Sequence, residues 1–163
     1  MGLNDWIKGF RELHELAKKG DLSAARLGEY QEAREELAAA LVGAQRLQIP
    51  EGESARRVLR VARAVQITLE MTGGLQKGMT VDLSQSGFGA LIGKAPEPKE
   101  SVGVQLRLPG DPNLLLVRAR AQNSRRQGGT YRVSFVFEEM PKEDAGRLGF
   151  AIFDTVLAQL AGS

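Results

Sequence analysis

Between Ser54 and Val65 the chain carries four arginines, Arg56, Arg57, Arg60 and Arg63, and no acidic residue. In a chain of net charge +2, a local cluster of this kind marks an anion site better than the total charge does. Guanidinium forks pair bidentately with phosphate oxygens or with the O6/N7 edge of guanine, and they stack on bases. Further along, Asp82, Ser84 and Gly87 fall within six residues. A carboxylate accepts from the ring and exocyclic N–H groups on guanine's Watson–Crick edge. A serine adds a donor or acceptor, and a glycine lets the backbone turn tightly or approach a ligand. Cations for phosphate plus a carboxylate for a guanine face suggest a guanine nucleotide. The competing reading is that Asp82 and Ser84 only cap a turn and the arginines are solvated linker charges.

The elements that must position these residues are legible in the pattern. Residues 5–19 read as an amphipathic helix, with Asn4 or Asp5 as cap, Trp6, Phe10, Leu13 and Ala17 at helical spacing, and Lys18-Lys19-Gly20 as the stop. A longer helix runs from Ser23 to Leu47 behind Asp21 or Ser23. Leu27, Tyr30, Leu37, Leu41 and Ala44 form its seam, Arg34 interrupts it, and Pro50 and Gly52 end it. Ile49–Ala55 reads as a linker, so the arginine cluster sits where helices give way to strands.

From Ala64 the period turns to two. Strands are expected at Ala64–Met71, Lys77–Leu83, Gly89–Ile92, Val102–Leu108, Leu114–Asn123 and Thr130–Glu138. Turns fall at Thr72-Gly73-Gly74 and Pro109-Gly110-Asp111-Pro112, and a polar loop at Ser124–Gly129. A final helix spans Pro141–Ala161, burying Leu148, Ile152, Val156, Leu157 and Leu160. Six short strands with regular turn signals favour a closed antiparallel barrel over a βαβ sheet. The expected fold class is mainly β with helices: a six-stranded antiparallel barrel, an N-terminal helical hairpin and a C-terminal helix.

Arg56-x-x-x-Arg60 followed by Asp82-x-Ser84-x-x-Gly87 resembles the paired signature of PilZ domains, bacterial receptors for the second messenger cyclic di-GMP. Each motif alone is common by chance; the resemblance rests on both, in this order, flanking one β segment. It runs from Ala55 to the C-terminus and leaves residues 1–50 unexplained. It implies a six-stranded barrel with a C-terminal helix at 51–163; the helical extension at 1–50 is read from the hydrophobic pattern alone. It also implies that Arg56 and Arg60 bind the phosphates and guanine faces of cyclic di-GMP with Arg57 assisting. Asp82 and Ser84 would hold a guanine edge, Gly87 would shape the turn, and the arginine arm would fold over the ligand. Where the family often shows Gly-x-x-Phe, this chain has Ser134 and keeps Phe137. Arg118 and Arg120 alternate in phase, and either line the ligand surface or form a solvated side. Ala55 sits where the family sets ligand stoichiometry, and does not decide it.

Composition narrows the function classes. Hydrophobic content of 42% and charge of 26% fit an ordinary water-soluble chain that can bury a core. With no cysteine there is no thiolate nucleophile and no Cys-ligated metal, in keeping with a cytoplasmic protein. No signal-type or bilayer-spanning apolar run stands out, so no membrane insertion is expected. His14, the single histidine, is expected at the surface or edge of a charged helix. No Ser/His/Asp set or phosphate loop is present, so no catalytic residue, metal site or cofactor is expected beyond the ligand cyclic di-GMP. Aromatics are only 6% and none interleave with the arginines, which argues against a nucleic-acid partner. The leading expectation is a non-catalytic cyclic di-GMP receptor whose ligand reorients the N-terminal helices. The alternative is a PilZ-like scaffold that no longer binds nucleotide and acts through those helices, by self-association or a protein partner.

Overall fold

The structure, a computed structural model, describes residues 2–46 and 59–161. The chain divides into two compact units, Met1–Leu59 and Arg60–Ser163. Arg56, Arg57, the linker Ile49–Ala55 with its stops Pro50 and Gly52, and the boundary expected after residue 50 lie outside the described residues.

The first unit is a helical hairpin, α1 (Leu3–Lys19) and α2 (Ala24–Arg46). Helix α1 begins earlier than expected: Gly2 is its N-cap without a side-chain cap, and Asn4 and Asp5 lie inside the first turn. Its end follows the sequence reading. Gly20 takes the left-handed conformation (φ 75°), and its N–H bonds back to Ala17 and Leu16 carbonyls. Ser23 caps α2, accepting from the Arg26 N–H at 3.3 Å. His14 corrects an expectation. It is fully buried, its ring packs between Phe10 and Tyr30, and its Nδ1 lies 2.6 Å from the Tyr30 hydroxyl. The reason is helical spacing: His14 follows Phe10 by four residues and therefore shares its buried face. Trp6 stacks on Phe10 at 5.6 Å and Phe10 on Tyr30 at 5.6 Å. Arg34, which breaks the apolar seam of α2, lies with its guanidinium 6.0 Å from the Tyr30 ring centre.

The second unit is a closed six-stranded antiparallel barrel with an extra short strand and a C-terminal helix. Its strands are β1 (Arg60–Val61), β2 (Gln66–Met71), β3 (Gly74–Ser84), β4 (Gly87–Ile92), β5 (Ser101–Leu106), β6 (Leu115–Gln127) and β7 (Thr130–Phe137), followed by α3 (Lys142–Ala161). The sheet order is β1-β3-β2-β5-β6-β7-β4, and β4 pairs back onto β3, closing the barrel through β2–β7. Strands β5 and β6 show the alternation that makes a barrel wall. Val102, Val104 and Leu106 face inward, as do Leu115, Val117, Ala119 and Ala121. Phe88, Val133 and Phe135 complete the interior, with Phe88 and Phe135 stacked at 5.0 Å. Each buried Val, Leu and Phe among them contributes about 1.5–3 kcal/mol relative to exposure.

Three departures matter. The two-residue strand β1 was not anticipated, being too short to show a period; it pairs Arg60 with Ser84 and Val61 with Leu83. Strand β6 continues to Gln127, so the stretch Ser124–Gly129 is not a loop. It is the far end of a hairpin that turns at Gly128-Gly129. Both faces of that extension are exposed, so no hydrophobic alternation marks it as a strand. Strands β3 and β6 also each carry a bulge, between Thr80 and Asp82 and between Ala121 and Asn123.

Helix α3 buries Leu148, Ile152, Val156 and Leu157 as expected, with Ala151 and Phe153 beside them, whereas Leu160, near the end of the helix, is only half-buried. Two of its side chains tie it to the barrel by hydrogen bonds. Arg147 donates to Asp111 at 2.8 Å and to the Asn113 carbonyl at 2.6 Å, and Gln159 donates to the Ala62 carbonyl at 3.3 Å.

Candidate functional site

The bulge in β3 decides where the key carboxylate points. Upstream of it, Ile67 pairs with Gly78 and Thr80 is buried; downstream, Leu83 is 1% exposed and fills the core. Strict alternation would have placed Asp82 on the same inward face as Thr80. One extra residue reverses the phase, so Leu83 turns in and Asp82 turns toward the outer wall.

Asp82 is mostly buried there yet fully engaged. Its Oδ1 accepts from the Gly89 N–H at 2.9 Å and lies 3.5 Å from Nη1 of Arg60. Its Oδ2 lies 3.4 Å from Nη2 of Arg132. Two guanidiniums thus flank one carboxylate on the barrel wall. Arg60 is held at this spot by β1, whose pairing sets it opposite Ser84 on β3. Beyond β1 the chain is pinned by Thr80. That side chain accepts from the Val65 N–H at 2.8 Å and donates to the Arg63 carbonyl at 2.5 Å.

Ser84 and Gly87 have strong local duties. Ser84 is 1% exposed, and its hydroxyl closes the β3–β4 turn. It accepts from the Gly87 and Ser86 N–H groups at 3.1 and 3.3 Å and donates to the Gly87 carbonyl at 3.1 Å. Gly87 pairs with Val136 on β7, and a Cβ there would run into the Phe135 carbonyl oxygen. The glycine is therefore required by the close approach of two strands.

Of the residues singled out from sequence, Arg60 and Asp82 come together, Ser84 and Gly87 build the turn beside them, and Arg56 and Arg57 lie outside the described residues. Arg118 and Arg120 are both exposed on β6, as their phase implied. Arg118 donates to the Ser101 hydroxyl at 3.1 Å, and Arg120 lies 3.5 Å from Glu138. Arg132 was missed. It lies 50 residues from Asp82 in the chain, and only the β4–β7 pairing, which sets Leu91 against Arg132, brings it near. Its one sequence signal is its place two residues before Ser134. Among the described residues no cluster of three metal-ligating side chains occurs, and no helix is long and apolar enough to cross a membrane.

A closed barrel with a packed interior leaves its outer wall as the surface for recognition, and that wall carries the Arg60–Asp82–Arg132 set. The PilZ domain family model matches residues 54–154, and the chain belongs to the PilZ domain family. A comparison with curated proteins gives no match. Among solved structures, the chain is similar to the Bacillus subtilis inhibitor of motility MotI/DgrA, at 14% identity and a TM-score of 0.55, over 69% of this chain and 57% of that one. It is also similar to the PilZ domain of Escherichia coli YcgR solved with c-di-GMP, at 18% identity and a TM-score of 0.55, over 65% of this chain and 95% of that one. The longer Escherichia coli YcgR in complex with c-di-GMP gives 20% identity and a TM-score of 0.54, with 65% of this chain and 47% of that chain covered. At these identities the likeness is one of fold. The chain spans 57% of MotI/DgrA and 47% of the longer YcgR chain.

Proposed function

We propose that this protein is a non-catalytic receptor for cyclic di-GMP, working in the cytoplasm. The carrying observation is that a PilZ-family barrel presents Asp82 on its outer wall with Arg60 beside it. In this reading the Asp82 carboxylate accepts from a guanine edge, Arg60 exchanges Asp82 for ligand phosphate, and Arg56 and Arg57 contribute from the arm before β1. Ser84 and Gly87 keep the turn in shape for that contact. Charge-assisted pairs supply most of the affinity, and removing one buried ionic partner costs roughly 2–5 kcal/mol. Ligand would order the arginine arm and thereby reorient the N-terminal helices, an order-driven switch.

Isothermal titration calorimetry with cyclic di-GMP, run beside GTP and cyclic di-AMP, tests this. Micromolar or tighter binding of cyclic di-GMP alone is the expected result, and its stoichiometry separates one bound molecule from two. Silence from a folded sample would move the function to the scaffold reading. That reading has its own observation: Leu3, Leu16 and Leu27 of the hairpin are 73%, 37% and 39% exposed, single apolar side chains open to self-association or a protein partner.

A further inference from the structure

We infer that Arg132 and Arg125, on the β6–β7 hairpin, form a second phosphate subsite on the same wall as Asp82; the inference rests on the cyclic di-GMP reading. The pairing register carries it. Asp82, Gly89, Ser134 and Asn123 form one cross-strand row, and Leu91, Arg132 and Arg125 lie in the next. The bulge between Ala121 and Asn123 is what turns Arg125 outward into the second row. Ala121 is buried, and without the extra residue Arg125 would follow its inward phase; with it, Arg125 faces the same side as Arg132. Two bulges, one in β3 and one in β6, therefore aim Asp82 and Arg125 at a single face.

That pairing is costly without an anion. Arg125 and Arg132 are direct cross-strand partners, and like charges opposite one another destabilise a sheet. Arg132 finds partial relief in Asp82 at 3.4 Å, whereas Arg125 is exposed. Between the carboxylate and these arginines the wall is low, because Gly89 and Ser134 stand where larger side chains would block a ring from lying flat. Three guanidiniums, of Arg60, Arg132 and Arg125, against the one carboxylate of Asp82 leave this part of the wall net positive, as recognition of a phosphodiester requires. From the strand of Asp82 to that of Arg125 the wall crosses three strand spacings, roughly 14 Å, long enough to engage both halves of a dinucleotide. On binding, the guanine edge takes Asp82, and Arg132 swings from that carboxylate to a phosphate shared with Arg125.

Calorimetric titration of cyclic di-GMP into the full chain and into Arg132→Gln, Arg125→Gln and Arg126→Gln tests the subsite. Arg126 is the control: it lies one residue from Arg125 on the other face of the hairpin, opposite Tyr131. Expected are a loss of at least tenfold for Arg132→Gln, several-fold for Arg125→Gln and none for Arg126→Gln. Partial recovery is expected in Arg132→Lys, and a shallower salt dependence in both subsite variants, since a purely structural arginine would leave that slope unchanged. Exposed Arg125 keeps the test decisive even if Arg132→Gln folds poorly. If the parent chain binds and the Arg132 and Arg125 variants match it in affinity and salt slope, the subsite is wrong and the receptor reading stands. If the parent chain itself does not bind, both are wrong.

Discussion

At Asp82 both carboxylate oxygens are already in use, by Gly89 and Arg60 on one side and Arg132 on the other. In the proposed receptor, ligand binding at such a residue would be an exchange of partners, and its affinity would depend on the arginines as well as on the carboxylate. Asp82→Asn, which keeps the shape and removes the charge, is expected to lower cyclic di-GMP affinity at least tenfold by calorimetry, as are Arg60→Ala and Arg56→Ala. Near-parental binding in all three would remove the site assignment. Gly87 makes a separable claim. A methyl group there meets the β7 backbone, so Gly87→Ala should destabilise the barrel by about 1–3 kcal/mol in chemical denaturation. A purely ligand-shaping glycine would lower affinity and leave stability alone.

Among the elements, α3 and the loop before β6 are joined through Arg147. Its guanidinium hydrogen-bonds Asp111 at 2.8 Å and holds that carboxyl below the ordinary range, with the Asn113 N–H adding to the effect. Arg147 is itself raised, chiefly by the bond to Asp111. Glu100 is likewise lowered, first by the Thr72 N–H and then by that of Glu97, which fastens the β2–β3 turn to the loop before β5. For both carboxyls the folded value lies below the unfolded one. Their stabilisation is therefore complete above the ordinary value of about 4 and is lost as pH falls through the lower folded value. Thermal melts from pH 6 to pH 2 should show stability dropping in that acid window, and Asp111→Asn should flatten part of the drop. In the hairpin, Tyr30→Phe removes the bond to His14, at a cost of about 0.5–1.5 kcal/mol, seen as an earlier loss of helical circular dichroism on heating.

For the whole molecule, ligand and stability are linked. A ligand at a hundred times its dissociation constant stabilises the state that binds it by about 2.7 kcal/mol. Cyclic di-GMP should therefore raise the melting temperature of the unit Arg60–Ser163 more than GTP does, in a concentration-dependent way. If the helices are reoriented as proposed, small-angle scattering of the full chain should change its profile on saturation with cyclic di-GMP. An unchanged profile with bound ligand would leave a receptor without that switch.

The order of the helices and of the six longer strands, the closed barrel and the motif residues Arg60 and Asp82 were legible in the chain, because alternation, turn residues and short-range motifs are local properties. The buried faces of β5, β6 and α3 follow directly from where Val102, Val117 and Leu148 stand. His14 was misread because its charged neighbours hid a face defined by Phe10 four residues earlier. What only the tertiary structure decided is the direction of the site. A bulge shifts the phase by one residue and leaves no local mark, so the sequence alternation alone would turn Asp82 and Arg125 inward. Arg132 reaches Asp82 across 50 residues through strand pairing, and register between distant strands is set by the closure of the whole barrel.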